Sequence, residues 1–430
     1  VQSISAALED LQAIVAAGFP DSPGVRVFDV SFPLNDSFDP LSWLCSQRCW
    51  PQFYWQQRNG DDEIAALGAV KSFTSLADAS HFLQTPELPD DLRICGMNAF
   101  NPQQGALFLP RLEWQRNGGN ASLRLVLYSD HSLRDDAAQA REFIASLREG
   151  KLLPPLQVTL QTERHQPDHP QWIQLVSDAI ATIASGALDK VVLARATDLV
   201  FTDALNAGSI MAASRRLNLR CYHFYQAFDA SHAFLGSSPE RLWRRRGKLL
   251  RTEALAGTVA SHPDEAQSQL LADWLMKDDK NQRENMLVVE DICQRLQTAV
   301  QTLEVLPPQV VTLRKVQHLR RCIWTELAHA DDERCLHLLQ PTAAVAGLPR
   351  TPARAWIEQH EPFTREWYAG SAGYLSRQQS EFCVALRSAK VDGKTLRLYA
   401  GAGIVSGSDP EQEWQEIDNK AAGLRTLLFD

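Results

Sequence analysis

The chain has 430 residues, of which 44% are hydrophobic and 22% charged, and it carries a formal net charge of −9 at pH 7. That balance belongs to a globular protein and excludes a disordered or fibrous chain. The acidic surplus argues against nucleic acid as a partner, since phosphate contacts need clustered Lys and Arg. No apolar run approaches the roughly twenty residues of a membrane span, so no membrane association is predicted.

In chain order, an amphipathic helix opens the sequence, and Glu9 and Asp10 stand where an export signal would carry a basic start. A cytoplasmic protein is therefore expected, in which the sequon Asn120-Ala121-Ser122 has no meaning. Residues 25–30 and 122–128 alternate like half-buried strands, and a helix over 135–148 follows. Trp43, Trp50, Trp55 and Trp114 read as core, and no catalytic constellation is visible in this part. The eight cysteines form no CxxC pair, so reduced thiols are expected rather than a zinc site.

Pro154-Pro155 and Gln166-Pro167-Asp168-His169-Pro170 mark a seam. An N-terminal α+β region, 1–160, is expected to pack on a second region, 165–430. A helix runs from Pro170 to about residue 185, with Gly186 as its stop, and a strand follows over 190–196. Strands are predicted around 221–235, with Arg244-Arg245-Arg246-Gly247-Lys248 as a solvated hairpin turn. One long helical stretch covers about 264–300, and a strand covers 367–375. Strands 382–391 and 395–404 pair across an Asp392-Gly393 turn. Grouped strands with hairpins favour an α+β fold of antiparallel sheets over a doubly wound one.

The chemistry gathers in the second region. A glycine-rich loop, 401–410, empties into a helix carrying Glu413, Glu416 and Lys420 at i, i+3 and i+7. Asp409 suits its N-cap, Pro410 its first position and Gln412 a capping box. Free amides at such a start would accept an anion, a carboxylate would hold a cation, and a lysine would close on a second carboxylate. A capped helix with a solvated Glu/Lys face is the plainer reading of this segment alone. The helical run 277–291 sets Glu284 beside Val288 and Asp291, with Lys280 one turn back as its natural partner. Ser237-Ser238-Pro239-Glu240-Arg241 sets a glutamate at the end of an apolar strand, and 254–258 and 341–349 are small-residue loops.

Taken in order, these motifs resemble the chorismate-utilising enzymes: anthranilate synthase large subunit, aminodeoxychorismate synthase, salicylate synthase and isochorismate synthase. The resemblance runs from about Trp172 to the end. It rests on Ser-Ser-Pro-Glu-Arg, Ala-Gly-Thr, the Arg-Glu-Asn helix, His337 with Pro341-Thr342, Tyr368-Ala369-Gly370, Arg387, Gly401-Ala402-Gly403-Ile404-Val405 and Glu416 with Asn419-Lys420-Ala421. The whole-chain pattern is most similar to the menaquinone-pathway isochorismate synthases of enteric bacteria.

The resemblance implies chorismate as substrate and Mg²⁺ held by Glu284 and Glu416, a ligand number that suits this ion. It implies Arg387, Tyr368 and Gly403 at the enolpyruvyl carboxylate, Lys420 at the ring carboxylate, and Gly257, Thr258 and His337 as further substrate contacts. By motif position Lys190 is the base that activates water for attack at C2, and Glu240 is the acid at the departing C4 hydroxyl. A lysine base must be uncharged, which desolvation beside Val191 and Val192 would favour, and burial would keep Glu240 protonated.

Lys190 stands where anthranilate synthases carry glutamine, which favours water over ammonia as nucleophile. Ala256 replaces the nucleophilic lysine of aminodeoxychorismate synthases, and Ala344 replaces a threonine frequent in salicylate synthases. Isochorismate is thus the expected product. The alternatives are a salicylate synthase and a non-catalytic chorismate-binding subunit, although no obligate amidotransferase partner is expected. Glu253-Ala254-Leu255 departs from the family's usual Arg-Pro-Ile/Leu start to the Ala-Gly-Thr loop.

Overall fold

The computed structural model describes residues 4–34 and 37–429. The first region gives α1 (Ile4–Val15), β1 (Gly24–Phe32), α2 (Pro40–Cys45), β2 (Gln52–Gln56), β3 (Asp62–Phe73) and α3 (Leu76–Leu83). It continues through β4 (Ile94–Asn98), β5 (Gly105–Asn117), β6 (Asn120–Ser129) and α4 (Leu133–Ser146). Next come β7 (Leu160–Gln166), α5 (His169–Ala184), β8 (Lys190–Phe201), α6 (Ala207–Leu217), β9 (Tyr222–Ala227), β10 (His232–Ser238), β11 (Arg241–Arg246) and β12 (Leu249–Ala260). Two helices follow, α7 (Glu265–Lys277) and α8 (Asp279–Leu296), then β13 (Val300–Val305), β14 (Gln309–Thr312), β15 (Val316–Leu327) and α9 (Asp332–Leu339). The chain ends with β16 (Gly347–Leu348), α10 (Arg350–His360), β17 (Ser371–Leu375), β18 (Gln379–Val384), β19 (Ser388–Asp392), β20 (Thr395–Ile404) and α11 (Pro410–Phe429).

The fold is α+β, and its strand pairs are antiparallel. One layer runs β1-β6-β5-β3-β2-β9-β10-β19-β20-β8-β7, and a second runs β5-β4-β17-β18-β11-β12-β15, with β13 and β14 on the far side of β15. The layers join at β5, which pairs with both β3 and β4. Two ladders, β2–β9 and β4–β17, tie strands of the first 160 residues to strands of the second region.

Side-chain alternation explains the two cores, because successive residues of a strand face opposite sides. Phe53 and Trp55 of β2, Phe234 of β10 and Tyr399 of β20 enter the larger core together with Trp243 and Phe382. Tyr54, Leu235 and Leu398, each one residue out of phase, enter a second core closed by α1, α4 and α6. Trp43, Trp55 and Trp114 are buried as expected, whereas Trp50 is half-buried.

Four local expectations are corrected. The single helix over 264–300 is two, because Asp278 turns extended (ψ 117°) to end α7 and caps α8 by accepting from Asn281 N. The strand read over 382–391 breaks at 385–387, where Arg387 takes φ 47°. The strand read from 367 starts only at Ser371, after positive φ at Glu366 and Ala369. The basic run is not uniformly solvated: Arg245 is buried and grips Asp332 with two hydrogen bonds of 2.8 Å.

Candidate active site

Lys190 opens β8 and is fully buried. Its strand is held on both edges: Gly403 pairs with Val192 on β20, and Gly347 of β16 pairs with Val191. A Cβ at Gly347 (φ +135°) would press on the Lys190 backbone carbonyl, so the close approach there requires glycine. Arg365 ties the neighbouring loop to β8, donating to Val345 O at 2.7 Å and Val192 O at 2.8 Å while Glu361 pairs with its guanidinium. The Lys190 amine reaches Glu284 Oε1 only at 3.4 Å, and it makes no hydrogen bond among the described residues. A buried amine without a hydrogen bond is costly and marks a group kept for another purpose.

Glu240 lies between β10 and β11 and is 1% exposed. Burial first, then the charge of Glu253, push its carboxyl up to about 8, against the pull of Arg387, Lys190 and Lys420.

Glu284 sits on α8, which docks through its neighbour Asn285. The Asn285 amide nitrogen contacts the carbonyls of Ala254, Ala256 and Leu319 at 3.0–3.1 Å, and its oxygen accepts from Arg321. This anchors the helix to a register shift in β12 between Leu255 and Thr258, where Gly257 takes φ +98°. Lys280 does not hydrogen bond Glu284; its amine donates to Glu413 of α11 at 3.2 Å. Burial, then the charge of Glu416, with Glu284 contributing, pushes Glu413 up to about 8.

Asp409 caps α11, accepting from Gln412 N at 3.1 Å, so the helix start uses its own cap. What α11 offers the site is side chains: Lys420 donates to Gly401 O at 2.7 Å and stands 3.4 Å from Glu416 Oε2.

Glu240, Glu284, Tyr368, Arg387, Gly403 and Lys420 line one cavity, and Lys190 lies behind its Gly403 wall rather than on its lining. Ala256, Gly257, Thr258 and Ala344 line it as well. Glu284 also faces an adjoining space that it shares with Lys280, Glu413 and Glu416. His337, in contrast, is exposed on α9 and lines neither space. The histidine at the cavity is His318 of β15, which sequence reasoning missed; it pairs across the sheet with Thr258. Its Nε2 lies 2.7 Å from Arg387 Nη2, and its Nδ1 lies 3.0 Å from the Thr258 hydroxyl and 3.3 Å from Gly257 O. Arg387 can only donate, so Nε2 accepts and Nδ1 carries the proton. Burial and then Arg387 hold His318 well below the usual histidine range, which agrees with a neutral ring. The half-buried cation Arg387 is thereby oriented by an acceptor with no charge of its own, leaving it free for an anion.

The family model described as chorismate binding enzyme matches residues 96–429. The chain belongs to the chorismate-binding enzymes. Within this family it is 68% identical to isochorismate synthase MenF of Escherichia coli K12 over 428 residues, all of this chain and 99% of that protein. It is 41% identical to isochorismate synthase MenF of Haemophilus influenzae Rd over 398 residues, 92% of this chain and 90% of that protein. The solved structure of MenF, the menaquinone-specific isochorismate synthase from Escherichia coli, superimposes with a TM-score of 0.96 at 69% identity, covering 99% of this chain and 100% of that one. Anthranilate synthase component I of Streptococcus pneumoniae shares the fold, with a TM-score of 0.65 at 18% identity over 93% and 92% of the two chains.

Proposed function

We propose that this chain is an isochorismate synthase acting in menaquinone biosynthesis, with Lys190 as base, Glu240 as acid and Mg²⁺ held by Glu284 and Glu416. The full-length likeness to enzymes of that activity carries the reaction. For the roles, the support is a carboxyl at the cavity kept protonated near neutrality and, behind the Gly403 stretch of the cavity wall, a buried amine without a hydrogen bond.

Lys190 takes a proton from water as the oxygen bonds to C2 of chorismate. The ring double bonds shift, and Glu240 delivers a proton to the C4 hydroxyl as it leaves. One water enters and one departs, so the product is an isomer and no covalent intermediate is needed. Arg387, Tyr368 and the Gly403 amide hold the enolpyruvyl carboxylate, and Lys420 meets the ring carboxylate. Glu284, Glu413 and Glu416 face one space beside Lys280 and their charges act on one another, and the Glu284 and Glu416 carboxylates are hard-oxygen donors of the kind that fits Mg²⁺. Among the described residues no three His, Cys, Asp or Glu side chains are grouped to hold a metal, so Glu284 and Glu416 would hold it with substrate and water as further ligands. When bound, the metal neutralises the ring carboxylate and draws electron density from the diene.

Ala256 and Ala344 leave the cavity without an amine or hydroxyl at those positions, and the reaction stops at isochorismate. The chain works in the cytoplasm without an amidotransferase partner. The decisive experiment incubates the purified chain with chorismate and Mg²⁺, without glutamine or ammonia, and identifies the product. Isochorismate alone is expected. Pyruvate released in step with chorismate loss would instead indicate a salicylate synthase, and no turnover would indicate a binding subunit.

A further inference from the structure

The short stretch that carries Glu240 is gripped from both sides by one ion pair. Before it, the Pro239 carbonyl accepts from Arg58 Nη1 at 2.9 Å. After it, the Arg241 N–H donates to Glu253 Oε2 at 3.3 Å. Arg58 and Glu253 then close on each other in a bidentate pair, with Nη1 to Oε2 at 2.8 Å and Nη2 to Oε1 at 2.7 Å. The Glu253 side chain is 1% exposed and that of Arg58 14%. Neither lines the cavity that Glu240 faces. Arg58 lies in the turn between β2 and β3, in the region where the sequence shows no catalytic chemistry. Glu253 stands where the chain departs from the family's usual Arg-Pro-Ile/Leu loop start.

We propose that Arg58 and Glu253 are positioning residues for the proposed reaction: the pair fixes the backbone on both sides of Glu240 and sets a permanent negative charge near its carboxyl. The proposal rests on the reading of Glu240 as the acid. A bidentate guanidinium–carboxylate pair is the most directional ionic contact a protein can make, which suits a group that must hold main chain in place. Burial alone would push Glu253 up, but the charge and hydrogen bonds of Arg58 keep it below the usual glutamate range. Glu253 is therefore ionised, and its charge comes second only to burial in keeping the proton on Glu240. The groups opposing it come from three other elements or loops. Lys190 on β8, Lys420 on α11 and Arg387 between β18 and β19 favour the ionised acid, and Tyr368, before β17, also feels the Glu240 charge. Without Glu253, the cations Arg387 and Lys420 would face Glu240 with no anion among its main influences.

The test is the pH profile of kcat/KM for three variants of the full chain. Glu253→Gln keeps the shape and removes the charge, so the basic limb is expected to move about one unit or more toward lower pH. Activity above that limb falls accordingly, roughly tenfold per unit. Arg58→Gln/Glu253→Gln, which leaves neither charge unpaired, should show the same direction of shift; it is read alone if the single variant does not fold. Circular dichroism and the melting temperature report folding. A folded variant with the parent's basic limb overturns the proposal, because a purely structural pair would lower stability without moving that limb. Glu240→Gln separates the two readings. If it is inactive while the Glu253 variants keep the parent profile, the clamp fails and the acid assignment stands; if it is fully active, the acid assignment itself fails.

Discussion

Gly403 offers a sharp probe of the site because its backbone lies in the ordinary strand region while its missing side chain would point at the reactive groups. A Cβ there would be 2.9 Å from Lys190 Cε and would also collide with Glu284 Oε1. Carbon atoms normally rest about 3.5–4.0 Å apart, so Cε must retreat by roughly 0.6–1 Å. Both obstacles are the far ends of side chains, so the fold can adapt, with an overpacking cost at the low end of about 1–3 kcal/mol. The catalytic cost is larger. A displacement near 1 Å in a positioned group lowers turnover by about 100-fold, equivalent to roughly 2.7 kcal/mol of barrier. Gly403→Ala is thus expected to melt within a few degrees of the parent and to form isochorismate about 100 times more slowly, followed by chromatography of the product. A Gly403→Ala enzyme with kcat within threefold of the parent would refute the packing of Lys190 and Glu284 against this strand.

Lys190→Ala is expected to lose turnover entirely with little loss of melting temperature, since it removes a buried amine that makes no hydrogen bond. Glu240, held up to about 8, is protonated below that pH, so kcat/KM should fall as pH rises through about 8. The same shift acts on stability with a definite sign. The folded carboxyl binds its proton more tightly than the unfolded one, so stability falls between about pH 4.5 and 8, and Glu240→Gln should flatten that slope in chemical denaturation. Mg²⁺ should raise the melting temperature without substrate, by the equivalent of about 2.7 kcal/mol at 100 times its Kd, and Glu284→Gln or Glu416→Gln should abolish the rise. Asn285→Ala strips three buried carbonyls of their donor and should cost on the order of 3 kcal/mol or more, with Mg²⁺ affinity falling alongside as Glu284 loses its anchor.

The antiparallel α+β character was legible because alternation, hairpin turns and grouped strands are local signals. So were the cap at Asp409 and the break at Gly186. The division of 264–300 into two helices was not, because Asp278 interrupts the pattern without Gly or Pro and its dual capping role needs three dimensions. The break at Arg387 was hidden for a related reason: the flanking residues are apolar and strand-like, and the positive φ is supported from outside, where Ser237 N donates to the Arg387 carbonyl at 3.1 Å. At the site, Glu240, Glu284, Tyr368, Arg387, Gly403 and Lys420 of the ordered motifs line the cavity, Glu416 faces the adjoining space, and His337 lines neither. His318 could be suspected only by pairing β15 with β12 and finding it opposite Thr258. Arg58 had no signal at all, since its partner lies 195 positions away.

The ladders β2–β9 and β4–β17 bear on any attempt to shorten this enzyme. Severing the chain at the proline seam and discarding the leading piece would strip β9 and β17 of a neighbour, baring rows of main-chain donors and acceptors that invite sticking to other copies. It would also remove the guanidinium that steadies the acid. The leading piece is thus scaffold for the reaction centre, and a minimal version must be carved from loops and outer helices instead.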